Sequence, residues 1–160
     1  MKSTYIHIEP YQDTYRNAFY DLNIAWLRKY FVVEPYDEQV LSDPEKHIIK
    51  KDGHVFFALS ENKPVGTVAL IHRDSLGYEL SKMAVTPAYQ GRGIGRRLIQ
   101  HCIAFVASLS NNRLYLDSNR KLETAIGLYR KMGFEEIPLP ETLLYDRCDI
   151  RMWYNKIADS

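Results

Sequence analysis

Thiol chemistry is scarce in this chain, whose only cysteines, Cys102 and Cys148, are far apart in sequence. That spacing implies no disulfide framework, and Cys102, placed among apolar residues at helical spacing, reads as a buried free thiol. The five histidines, His7, His47, His54, His72 and His101, show no paired ligand spacing, so no metal centre is expected. No sign of charge is in excess: 21 Lys and Arg face 20 Asp and Glu. A net charge of +1 gives no electrostatic case for nucleic acid or an anionic membrane as partner. No apolar run reaches membrane-spanning length, and the first residues, MKSTYIHIEPYQ, lack the apolar region of a secretory signal. The expectation is therefore a cytoplasmic protein. Its 160 residues, 46% of them hydrophobic, suit one domain over residues 1–160 with one sizeable core.

What the chain does have is concentrated between Tyr78 and Leu109. Tyr78 to Val85 alternates as a strand, with Tyr78, Leu80, Lys82 and Ala84 on one face and Glu79, Ser81, Met83 and Val85 on the other. Thr86-Pro87 stops it. After Gln90-Gly91-Arg92-Gly93-Ile94-Gly95, the residues Ile94, Leu98, Ile99, Cys102, Phe105, Val106 and Leu109 recur at helical spacing. Glycines at a helix start let a ligand approach the backbone and leave N–H groups pointing outward, an anion site in combination with the helix dipole. Arg92, Arg96 and Arg97 lie where the dipole disfavours cations, a conflict that a bound pyrophosphate removes. A surface helix with solvated arginines satisfies the same residues. A dinucleotide fingerprint needs glycine where Arg96 stands, and a P-loop needs Gly-Lys-Ser/Thr, so both are excluded.

The remainder alternates strand and helix. Tyr5 to Ile8 is a first strand ended by Pro10; Tyr15, Ala18, Phe19, Leu22, Trp26 and Tyr30 predict an amphipathic helix with Trp26 in the core. Prolines break Phe31 to Gly53 into short helical pieces. Val55–Ser60 and Val65–His72 form a hairpin, Ser110-Asn111-Asn112 a loop, and Arg113–Asp117 a strand. A helix follows from about Lys121 to Met132, capped by Ser118 or Asn119 and stopped by Gly133. Phe134–Ile137 and a last strand through Ile150, Met152 and Tyr154 flank a proline-interrupted loop. The order predicts an α+β fold, helices against a mixed, mostly antiparallel sheet.

Gln90 to Gly95, preceded by Met83-Ala84-Val85-Thr86-Pro87, resembles the acetyl-CoA signature Gln/Arg-x-x-Gly-x-Gly/Ala of the Gcn5-related N-acetyltransferases. Asn119 followed by Ala125 through Phe134, AIGLYRKMGF, is a second family mark. On Glu79–Val85 and Tyr145–Ile150 the chain is similar to acetyltransferase domains found alone or fused behind a winged-helix regulator. The resemblance implies a sheet of about seven strands flanked by helices, and acetyl-CoA as cosubstrate. Its pyrophosphate would sit on Gln90, Gly91, Arg92, Gly93, Ile94, Gly95 and Arg96. Its pantetheine arm would pair with Met83, Ala84 and Val85, where a backbone N–H holds the thioester oxygen, and Asn119 would be a side contact. Tyr129, in the matching Leu-Tyr-x-Lys-x-Gly-Phe context, would protonate the coenzyme A thiolate; its other reading is a core tyrosine.

Acetyl transfer also needs a neutral amine, whose pKa is ordinarily near ~10, so a base is required. Glu79, on the central strand a few residues before the thioester where the resemblance implies a general base in some members, is the candidate, against a plain carboxylate paired with a neighbour such as Lys82. For the acceptor, Tyr36, Glu38, Tyr145 and Arg147 lie in irregular segments where binding residues gather. Arg147 suits a substrate carboxylate, or else pairs with Asp146 or Asp149. The expectation is N-acetylation of a small-molecule primary amine, an amino acid among the candidates. The alternatives are acetylation of protein lysines or N-termini and a noncatalytic acetyl-CoA sensor. The late strand and tyrosine-rich loop offer a surface for a homodimer.

Overall fold

The computed structural model describes residues 5–110 and 112–154; Asn111, in the expected loop after the glycine helix, lies outside the described residues. Seven strands form one sheet: β1 (His7–Pro10), β2 (His54–Ser60), β3 (Lys63–His72), β4 (Tyr78–Val85), β5 (Leu114–Ser118), β6 (Phe134–Ile137) and β7 (Ile150–Tyr154). Their order across the sheet is β1-β2-β3-β4-β5-β7-β6, and every pair is antiparallel except β4 with β5. β1 reaches Pro10 rather than stopping before it, which an edge strand permits because the missing N–H is not needed by a second neighbour.

Helices α1 (Arg16–Tyr30), α2 (Pro35–Ser42) and α3 (Pro44–His47) precede β2; α4 (Ile94–Ala107) and α5 (Glu123–Met132) follow β4 and β5. β2 and β3 are buried along almost their whole length because both faces are covered. Val55, Phe57, Leu59, Ala69 and Ile71 pack under α1 and α2, while Phe56, Ala58, Val68 and Leu70 pack under α4 and α5. This is why the sequence there reads as nearly continuous apolar runs instead of alternation. Among the described residues no helix is long and apolar enough to cross a membrane.

Three local differences from the sequence pattern shape the site. The stripe of α1 that is buried runs through Phe19, Asn23, Ile24 and Leu27, one step round from the predicted one. Trp26 is only half-buried, and Asn23 satisfies its amide by donating to the Phe19 carbonyl at 3.0 Å. α5 begins at Glu123, not Lys121, and neither Ser118 nor Asn119 caps it; Asn119 Oδ1 instead accepts from the Lys121 N–H at 2.9 Å in a turn before the helix.

The third difference is in β4. Lys82 has φ 53°, a left-handed conformation costly for a side chain with a Cβ, and the β3–β4 register slips between Thr67 and Ala69. The extra residue is a β-bulge, and it reverses the alternation. Met83 and Val85 join Tyr78 and Leu80 on the α4 side, whereas Lys82 turns to the α2 side to reach Asp37.

Candidate active site

β4 and β5 pair only at Tyr78 with Leu114 and Glu79 with Tyr115. Parallel strands that separate after two residues leave the β4 backbone from Leu80 onward without a strand partner on that side among the described residues. The bulge at Lys82 falls within this free stretch. A cleft of about 160 Å³ opens between the diverging strands, walled by Asn23, Trp26 and Leu27 of α1, by Glu79 to Met83, and by Leu116 to Asn119. Ala125 and Tyr129 of α5 and Tyr145, Arg147 and Cys148 of the late loop close it.

The end of β4 leads to the glycine loop. Gly91 and Gly93 have φ of 76° and 77°, and a Cβ at either would meet nothing within 4 Å, so the glycines are required by backbone conformation while the space before them is open. Gly93 is the N-terminal cap of α4 and no side chain caps the first turn, leaving N–H groups available to an anion. Gln90 donates from Nε2 to the Val85 carbonyl at 2.9 Å and so folds the loop back on the strand. Arg92 lies over the Tyr89 ring at 4.9 Å, and Arg96 is exposed beside the loop. Ile94 is buried and fixes the helix to the sheet; Gly95 leaves the Met83 methyl as the nearest atom, 4.0 Å from where its Cβ would be. An unpartnered strand edge running into an uncapped helix start fits the pantetheine and pyrophosphate of acetyl-CoA.

At the other end the side chains are buried and paired. Glu79, 4% exposed, accepts from Arg73 Nε at 2.9 Å, and Arg73 Nη2 lies 2.9 Å from the same oxygen without the alignment of a second hydrogen bond. Its ionic partner is thus Arg73, not Lys82. Desolvation pushes the Glu79 pKa up, outweighing Arg73, which favours the carboxylate. Tyr129 lines the same cleft, packed on Phe134, and burial alone raises its phenol to about 12.

Lys82 Nζ donates to Asp37 Oδ1 at 2.8 Å and to the Tyr145 hydroxyl at 2.6 Å. Arg147 grips the same Asp37 with both terminal nitrogens at 2.7 Å and Glu34 at 3.1 Å, so it pairs with neither Asp146 nor Asp149. Desolvation would raise the Asp37 pKa, but Arg147 and Lys82 together hold it at about 2. Burial lowers that of Lys82 against the pull of Asp37. Asp117, also in the lining, is held by Arg151 at 2.7 and 2.9 Å.

Of the four acceptor-side residues expected from sequence, Tyr145 and Arg147 line the cleft, while Tyr36 packs on the Tyr145 ring at 5.5 Å and Glu38 is exposed and bonded to the Tyr20 hydroxyl. Asn119 lines it too, its Nδ2 donating to the Arg147 carbonyl at 2.7 Å. Sequence reasoning missed Asp37, Arg73 and Asp117. Their partners stand 45 and 110 positions from Asp37, 6 from Arg73 and 34 from Asp117, and only the Arg73 spacing is local enough to be read from a sequence.

The N-alpha-acetyltransferase RimI of Mycobacterium tuberculosis is 40% identical over 62 residues, 39% of this chain and 37% of that protein. The spermidine N(1)-acetyltransferase of Escherichia coli K12 is 30% identical over 116 residues, 70% of this chain and 62% of that protein. The chain therefore spans less than two thirds of either relative. A GNAT-family acetyltransferase from Staphylococcus aureus Mu50 shares the fold with a TM-score of 0.84 at 23% identity, covering 94% of this chain and 99% of that one. The acetyltransferase (GNAT) family model matches residues 9–134, the span that holds the strand edge, the glycine loop and Tyr129, and the chain belongs to that family.

Proposed function

We propose that the protein is an acetyl-CoA-dependent N-acetyltransferase that acetylates a primary amine of a small molecule by direct attack. The observation that carries this reading is that Glu79 and Tyr129 line one cleft, beside the free edge of β4. Glu79 takes the proton of the ammonium, directly or through water. A buried carboxylate with a raised pKa is a better base for that step than an exposed one. A β4 backbone N–H near the bulge polarises the thioester carbonyl and stabilises the oxyanion. Tyr129, protonated at any working pH, returns a proton to the departing thiolate. Gly91 to Arg96 and Met83 to Val85 orient the donor, and Asn119 holds the late loop against it.

Relatives named a spermidine N(1)-acetyltransferase and an N-alpha-acetyltransferase bracket the acceptor. The RimI likeness supports a second reading, acetylation of a peptide N-terminus. Free cysteines fit a reducing cytoplasm, and exposed Trp153 on β7 and Leu144 in the late loop give a homodimer contact a surface. The test is release of coenzyme A from acetyl-CoA across amino acids, amines and short peptides. Tyr129→Phe is expected to lower turnover by about 10²- to 10⁴-fold while sparing acetyl-CoA binding. Unchanged turnover removes Tyr129 as the acid; peptide-only release selects the second reading; acetyl-CoA binding without turnover on anything makes the protein a sensor.

A further inference from the structure

The charges around the acceptor end are balanced one for one. Two carboxylates line the cleft, Glu79 and Asp117, and each has its own arginine behind it, Arg73 and Arg151. Two cations line it, Lys82 and Arg147, and their carboxylates, Asp37 and Glu34, also stand behind the wall. Both oxygens of Asp117 are taken by Arg151, whereas Glu79 is contacted by Arg73 through Oε1 only. The lining thus offers one carboxylate oxygen, Glu79 Oε2, to which Arg73 donates no hydrogen bond.

Two of the aromatic faces are occupied as well. Lys121 Nζ sits 3.9 Å from the centre of the Phe31 ring, and Lys82 Nζ and the Arg147 guanidinium each lie 4.2 Å from that of Tyr145. Phe31 and Tyr145 are both in the lining, so two of its four aromatic rings, the others being Trp26 and Tyr129, already hold the protein's own cations. A second ammonium entering the cleft would lose hydration, find each lining carboxylate already beside an arginine, and approach Lys82 and Arg147.

Resting on the acetyltransferase reading, we propose that the acceptor carries a single positive charge: a monoamine whose remainder is neutral or bears a carboxylate, and not a polyamine. The Glu79 oxygen that accepts no hydrogen bond from Arg73 serves the reacting nitrogen, and the other lining carboxylate, Asp117, has both oxygens taken by Arg151. This separates the chain from its spermidine-acetylating relative within a shared fold.

The experiment compares kcat/KM for an amino acid, its amide and a short aliphatic monoamine with that for spermidine and spermine, at fixed low salt. Monoamines are expected to lead by at least about tenfold, the ratio of roughly one charge contact. Arg151→Gln, outside the lining, frees Asp117 and is expected to narrow the gap by about threefold or more, whereas Arg151→Lys keeps the charge and the gap. Polyamines that equal or outrun monoamines overturn the proposal, as does a gap unchanged in Arg151→Gln. Calorimetric titration with spermine decides independently of turnover: saturable spermine binding tighter than that of the monoamines overturns the proposal even if no amine is acetylated. Absence of coenzyme A release with every amine overturns the enzyme reading and the acceptor assignment with it, whereas faster turnover of polyamines overturns the assignment alone.

Discussion

The two ends of the cleft are built on opposite principles. At the glycine loop the polar groups are backbone, local in sequence, and open: Gly91 and Gly93 face empty space and the α4 N-terminus has no side-chain cap. At the acceptor end the polar groups are side chains, distant in sequence, and saturated: Lys82, Arg147 and Asp37 close a buried cluster that draws together β4, the late loop and α2. An open backbone site suits a ligand whose phosphates complete it, and a closed side-chain network holds a wall in one shape. The donor end is organised to be filled, and the acceptor end to be rigid.

Breaking the closed end has the largest expected effect. Asp37 is fully buried between two cations, so Asp37→Ala leaves Lys82 and Arg147 without their counter-ion and is expected to cost about 3–5 kcal/mol in denaturant unfolding. Because the folded-state pKa of Asp37 is lowered to about 2, its contribution is complete above about pH 4 and is lost as pH falls through about 2. The acid limb of the wild-type stability profile in that window should flatten in the variant; an identical limb would remove Asp37 as its source.

Glu79 joins the two ends, and Glu79→Gln is expected to lower kcat by at least about 10²-fold with acetyl-CoA affinity retained. In the wild type the rising limb of kcat against pH assigned to Glu79 should lie above the usual carboxylate range, the direction set by its burial. A variant that keeps both the rate and that limb would pass the base role to another group.

The open end gives the smallest change. Gly93→Ala meets no atom, so its penalty is that of the left-handed backbone alone, about 1–2 kcal/mol. It should appear as a smaller stabilisation by coenzyme A in thermal unfolding rather than as loss of fold. A coenzyme A shift equal to that of the wild type would mean that the loop need not hold this conformation to bind.

The donor end was legible in the sequence because everything in it is local. Thr86-Pro87, the spaced glycines and the apolar repeat from Ile94 to Val106 act within a few residues of one another, and β4, its following turn and α4 fall where that pattern put them. Gly133 likewise ends α5, with φ 113°. The hairpin β2–β3 and the helix–strand order after α4 were equally readable, each from short-range turn chemistry.

Legibility stopped where one residue's environment depends on a remote partner. Strict alternation placed Lys82 with Tyr78 and Leu80, but a single inserted residue at a bulge turned it to the other face, and no local propensity marks a lysine for φ 53°. Trp26 had the spacing of a core residue and lies half-buried on the cleft, because the rotation of α1 is set by how Phe19, Ile24 and Leu27 seat on the sheet. Arg147 showed a donor fork in the sequence; that Asp37, 110 residues earlier, would fill it was decided by packing.

By itself, then, the sequence determined the elements and their order and the open glycine site, since periodicity, turn residues and helix-start chemistry act over one or two turns of chain; the candidate pair Glu79 and Tyr129 is what the family resemblance implied. Only the tertiary structure decided where β4 leaves β5, which way Lys82 faces, and which cation neutralises each carboxylate. Those outcomes depend on burial, which determines the cost of every charge and is a property of the assembled sheet and helices rather than of any stretch of the chain.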